Sequence, residues 1–110
     1  MVYLIMKTTG KGLSPDDAKK LMAAAANPEI GKGFDWDKYG PIYDNVISSM
    51  GRFTGDGPEA MTIVKVHEDK LEKTMALFIE WSSRFVLLGA QVDFQVFHSA
   101  EELVPLMGFA

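Results

Sequence analysis

The chain has no cysteine. That absence excludes disulfides, thiolate metal sites and a cysteine nucleophile, and it allows a reducing compartment without requiring one. Long apolar runs are missing too. The stretch Met1 to Met6 stops at Lys7 with no basic residue ahead of it, so neither a signal peptide nor a membrane span is expected, and a cytoplasmic location is. Histidine occurs only twice. Basic residues are scattered rather than gathered on one predicted helix face, and a net charge of -4 with a pI near 5.0 is ordinary, so nucleic acid is not an expected partner. Gly10-Lys11-Gly12 lacks the spacing of a phosphate loop, and Ser48, Ser49, Ser82 and Ser83 stand in no nucleophile-elbow motif. No metal and no cofactor are expected from these patterns.

What is present is enough for one domain. The 110 residues, 47% of them hydrophobic, can build one core but not two, so 1–110 reads as a single domain. The cleanest periodicity lies in Gln91 to His98. Val92, Phe94 and Val96 alternate with Gln91, Asp93, Gln95 and Phe97, which predicts a strand with one apolar face and one covered, partly polar face. Val2 to Thr8 reads as the first strand, with Val2, Leu4 and Met6 on one face and Tyr3, Ile5 and Lys7 on the other. Ser14-Pro15-Asp16-Asp17 supplies an N-cap, a proline at the first helical position and carboxylates in the first turn, and the helix it starts ends at Asn27-Pro28. Ala18, Leu21, Met22 and Ala25 form its expected buried stripe.

Val46 to Thr54 reads as a weaker second strand, followed by turn chemistry at Gly55-Asp56-Gly57-Pro58. Met61 to His67 is the third strand, with Thr62, Val64 and Val66 facing one way and Met61, Ile63, Lys65 and His67 the other. Glu68 and Asp69 open a second helix to about Phe85, with Leu71, Met75, Phe78 and Ser82 on one stripe and Thr74, Leu77 and Trp81 on the next. Ser99-Ala100-Glu101-Glu102 begins a short terminal turn or helix expected to end before Pro105.

Segment 29–44 is the irregular part, with Phe34, Trp36, Tyr39 and Tyr43. It reads as a long connection that serves as a lid or interface arm. The alternative is a short helix capped by Asp35 or Asp37, broken near Gly40-Pro41 and resumed from Ile42.

The order strand, helix, strand, strand, helix, strand predicts an α+β, ferredoxin-like βαββαβ fold, a four-stranded antiparallel sheet with two helices on one face. The first and third strands are expected side by side and parallel at the centre, with the second and fourth antiparallel at the edges. Both helices would then cover one sheet face. The other would carry Tyr3, Ile5, Met61, Ile63 and Phe97 in the open, an apolar surface that calls for a second copy of the chain.

The polar residues of that open face are the candidate site. On the expected strand directions Lys7, His67 and Asp93 converge at one end, with His98 about 20 Å away at the other at ~3.3 Å per residue, so the two histidines would not share a metal. His67 is then a candidate general acid or base with Asp93 setting its tautomer, and Tyr3, Lys7, Lys65, Gln95 and Phe97 are candidate ligand contacts. A plain Lys7 to Asp93 cross-strand ion pair is the competing explanation.

In Tyr3-Leu4-Ile5-Met6, in Gly51-Arg52-Phe53 with the strands from Met50 to His67, and in Glu80-Trp81-Ser82 ahead of Val92 to Val96, the chain resembles the dimeric α/β barrels, and within them the DUF3303 family. The resemblance implies two protomers packed sheet against sheet around ligand cavities. It points to a homodimer binding a small, partly apolar, anionic or aromatic ligand on the open face. Cofactor-independent oxygenase or isomerase chemistry is the enzymatic form of that reading, and a non-catalytic homodimeric module is the alternative. Whether the chain is an enzyme stays open at this level.

Overall fold

β1 (Val2–Thr9) runs through the middle of the sheet, flanked by β3 (Gly57–Val66) and β4 (Gln91–His98), with β2 (Asn45–Thr54) outside β3, in the order β2-β3-β1-β4. The computed structural model describes residues 1–43 and 45–108. Every pairing is antiparallel. The antiparallel sheet expected of the fold is found, whereas the parallel pairing expected for the first and third strands within it is wrong, and the chain path shows why. A helical crossover returns β2 in the same sense as β1; the two-residue turn at Gly55-Asp56 then reverses the chain, so β3 opposes both. This hairpin is longer than expected, because Gly57 and Pro58 already belong to β3, with Thr54 opposite Gly57.

The faces sort as their parity requires. Leu4 lies opposite Val64 and Val96, and Ile5 opposite Ile63 and Gln95. Even positions of β1 therefore face the helices and odd positions the open side. The buried core is Val2, Leu4, Met6, Val64 and Val66 of the sheet with Leu77 and Phe78 of α2 (Leu71–Val86). Thr74 and Ser82 are buried on the same helix, which matches the two adjoining stripes. A 3-10 turn, Glu68–Lys70, precedes α2 in place of a continuous helix.

α1 (Pro15–Ala26) starts as its sequence dictates: the Ser14 hydroxyl accepts from the Asp17 N–H at 3.2 Å, and Pro15 occupies the first turn. Its expected stripe is not buried as a whole. Leu21 alone is fully covered, Ala18 is half-buried, and Met22 and Ala25 are exposed. α1 reaches toward β3, whereas α2 packs on β1 and β4. The space left between the helices is the central feature of the molecule.

The irregular segment forms a 3-10 turn, Pro28–Gly31, and further turns, not a helix. Asp35 caps one of these through an Oδ1 contact to the Asp37 N–H at 3.0 Å, and Ile42 and Tyr43 are irregular backbone, so no helix resumes at Ile42. Asp44, at the end of this segment, lies outside the described residues. The aromatics pack on α2. Phe34 and Trp36 meet Trp81 with ring centroids 5.3 and 4.8 Å apart, and Tyr43 meets Phe78 at 6.0 Å. Arg84 donates to the carbonyls of Ile30 and Lys32, and Lys38 pairs with Glu80.

α3 (Ala100–Leu106) runs past Pro105 instead of ending before it. A proline so near the end forgoes only a bond to the Glu101 carbonyl, while the Met107 N–H still reaches Leu103 O at 3.0 Å.

Candidate binding site

The helix-covered face is filled at one end and hollow at the other. Around Val2, Leu4, Val64 and Val66 large side chains interdigitate with α2. Farther along, the same face presents Thr8, Gly10, Gly51, Ala60 and Thr62, and α1 answers with Ala25 and Ala26. Small residues on both layers cannot close the gap that the helices leave, so a cavity of about 480 Å³ remains. Trp81 and Phe85 of α2 form an aromatic wall, their rings edge to face at 74° with centroids 5.4 Å apart, while Met6, Leu21, Met22 and Phe53 complete an apolar lining. The ring of Trp81 is fixed from behind by Phe34 and Trp36. The aromatic segment thus supports the cavity wall indirectly.

Polar groups are few. Thr8 and Thr62 add hydroxyls, and the Thr62 hydroxyl lies 3.3 Å from that of Ser49. Glu59 and Arg52 border the space, and the Glu59 carboxylate takes two cations, Lys7 at 3.3 Å and Arg52 at 3.5 Å. Two cations share this one carboxylate, so one positive charge is left over beside the cavity.

This cavity lies on the opposite face from the one expected. All seven candidate residues, with the exception of His67, do sit on the open face, but they do not form one site. Tyr3 stands between Lys65 and Phe97 in one row of the sheet, and Gln95 lies in the next row opposite Ile5. Lys7 is opposite Asp93 in register, yet its ammonium pairs with Glu59, and Asp93 instead accepts from Gln95 Nε2 at 3.3 Å. Neither the Lys7 to Asp93 ion pair nor the three-residue cluster forms.

His67 is the largest correction. It follows Val66, which pairs with Val2, whereas Asp93 pairs with Lys7, so the two are separated by about 20 Å along the sheet at ~3.3 Å per residue. Asp93 cannot set the tautomer of His67. His98 also pairs with Val2, so both histidines lie at the same end of the sheet, contrary to the expected separation. A single error of strand direction produced both mistakes. The cavity was missed for another reason: small residues at Thr8, Ala60, Thr62 and Ala25 carry no signal until the layers that hold them are superposed.

The βαββαβ order, the antiparallel β2-β3-β1-β4 sheet and helices packed on one face define an α+β protein of the ferredoxin-like fold. Among solved structures it is similar to SnoaB, a cofactor-independent oxygenase from Streptomyces nogalater, at 13% identity and a TM-score of 0.45, over 89% of this chain and 91% of that one. A point mutant of SnoaB is similar at the same identity and TM-score, over 90% and 93%. No family model matches the chain, the DUF3303 family included, and no curated protein matches it in sequence.

Proposed function

We propose that this protein binds a small, mainly apolar molecule in the cavity between α1, α2 and the sheet. The observation that carries the reading is the unfilled space of about 480 Å³ over a floor of Thr8, Gly10, Gly51, Ala60 and Thr62, beside a half of the same layer that is fully packed. Cavities of roughly 300–1,000 Å³ with apolar walls and a few polar groups are the usual setting for small ligands. Trp81 and Phe85, set edge to face, offer aromatic surface to an apolar body, and Thr8 and Thr62 offer hydroxyls to a carbonyl or hydroxyl. The lining itself is apolar, so an uncharged body is expected inside it, and the one positive charge left over from Lys7, Arg52 and Glu59 stands at its border.

Binding, rather than cofactor-independent oxygenase or isomerase chemistry, is the reading supported best. The acid–base pair that would have served proton transfer is split between the two ends of the sheet. A homodimer through the open face is a second part of the proposal, favoured by the apolar rows Tyr3, Ile5, Met61, Ile63 and Phe97 on that side. In such a dimer the open face serves assembly and the helix side serves binding.

The test is a titration of the neutral probe N-phenyl-1-naphthylamine, read by energy transfer from tryptophan, in wild type and in Ala25→Phe. Saturable binding that weakens at least tenfold in the filled variant is the expected result. Equal affinity in a folded Ala25→Phe protein would place the probe elsewhere and end the reading.

A further inference from the structure

The antiparallel register brings three metal-ligating side chains together at the Val2 end of the sheet, away from the cavity. Val2 is paired on one side with Val66 and on the other with His98. The chain leaves β3 two residues before Glu68, and α3 begins directly after His98 and Ser99. The Ser99 hydroxyl accepts from the Glu102 N–H at 3.2 Å, which fixes Glu102 in the first turn of α3, four residues beyond His98. Glu68, His98 and Glu102 each offer one ligand atom, and the three atoms lie within 4.8 Å of one another.

We propose that Glu68, His98 and Glu102 form a binding site for a divalent transition-metal ion of the zinc class. Zinc donors at about 2.0–2.2 Å from the ion lie about 3.3–3.6 Å apart at the corners of a tetrahedron. His98 Nδ1 and Glu102 Oε2 already stand 3.5 Å apart. Glu102 adds to this: its Oε2 atom is shielded from water and, although 3.5 Å from His98 Nδ1, makes no hydrogen bond, while its Oε1 is held 3.3 Å from the Met1 ammonium. A carboxylate oxygen withdrawn from water without a hydrogen bond is costly, and an ion bound to it would offset that cost.

The donor set selects the ion. One imidazole with two carboxylates suits zinc and its first-row neighbours, whereas calcium and magnesium take oxygen ligands and gain little from an imidazole. Three protein ligands leave a fourth position for water. The ligands come from the end of β3, the end of β4 and α3, so a bound ion would clamp α3 to the sheet. Apart from Glu102, α3 is exposed along its whole length.

The experiment is isothermal titration of the metal-stripped, untagged protein with zinc chloride, in wild type, His98→Gln, Glu68→Gln and, as a control at the far end of the sheet, Asp93→Asn. Glu68 and His98 are exposed, so these variants should keep the fold, which circular dichroism checks. One zinc per chain is expected, with affinity reduced at least tenfold in both His98→Gln and Glu68→Gln and unchanged in Asp93→Asn. Absence of binding, or binding that either of the first two variants leaves unaltered, would overturn the three-ligand site. Failure of the cavity titration would leave this result untouched, because the two sites share no residue.

Discussion

Lys38 donates to Glu80 Oε1 at 2.7 Å across 42 positions of the chain, and with this bond the irregular segment is tied to the outer side of α2. The hydrogen bond to Glu80 raises the Lys38 ammonium above its ordinary value, and the bond from Lys38 holds the Glu80 carboxyl below its own. The signs set a window. The Glu80 contribution is present above the unfolded carboxylate range and lost as pH falls through its depressed folded value. The Lys38 contribution is present below the unfolded lysine value and lost as pH rises through its raised one. Since Trp36 and Trp81 stack nearby, tryptophan fluorescence should change in the acidic range in wild type and stay flat there in Glu80→Gln. Identical profiles would show that the tie does not hold the segment.

Gly57 closes the mouth of the β2-β3 hairpin with φ +126, and a Cβ there would stand 2.7 Å from the Gly10 carbonyl oxygen. That contact is with backbone, which cannot step aside without breaking the bond from the Gly10 N–H to Pro58 O at 2.8 Å. Gly57→Ala should therefore lower stability by about 2–3 kcal/mol, combining backbone strain with the clash. Gly12→Ala is the comparison, because Gly12 also has positive φ but faces open space, and its cost should stay near 1 kcal/mol. Urea unfolding of both variants checks the difference.

Thr74 is wholly buried in α2, and its hydroxyl lies 2.9 Å from Ile42 O and 2.8 Å from Lys70 O. The contact to Ile42 anchors the end of the irregular segment to the helix. Thr74→Val keeps the volume but leaves the Ile42 carbonyl without that donor, a loss of about 1–3 kcal/mol. Thermal unfolding should show the lower midpoint. A variant as stable as wild type would mean that the Ile42 carbonyl finds another donor.

The open face gives a prediction about assembly. Ile63 stands opposite Ile5 near the middle of that face, with Met61 and Lys65 on either side along β3. Wild type should sediment as a dimer at micromolar concentration. Ile63→Asp should sediment as a monomer, because an unpaired carboxylate in an apolar interface is strongly disfavoured. A wild-type monomer would remove the open face as an assembly surface.

Local pattern was sufficient for much of the fold. The alternation in Val2 to Met6 and in Gln91 to His98 placed each side chain on its correct face, and Ser14-Pro15 placed the start of α1, because these depend on neighbours within a few residues. The α2 stripes, Thr74 and Leu77 beside Phe78 and Ser82, were legible for the same reason. Strand direction was legible in the order of elements, because a helical crossover keeps the sense of the chain and the turn at Gly55-Asp56 reverses it; the parallel pairing of the first and third strands misread that order and so misplaced His67 relative to Asp93. Only the tertiary structure joined Lys7 to Glu59 and set Glu68 beside His98 and Glu102. The cavity is the same kind of fact: Ala25 and Ala60 are small wherever they occur, but a gap exists only where two layers set small residues face to face.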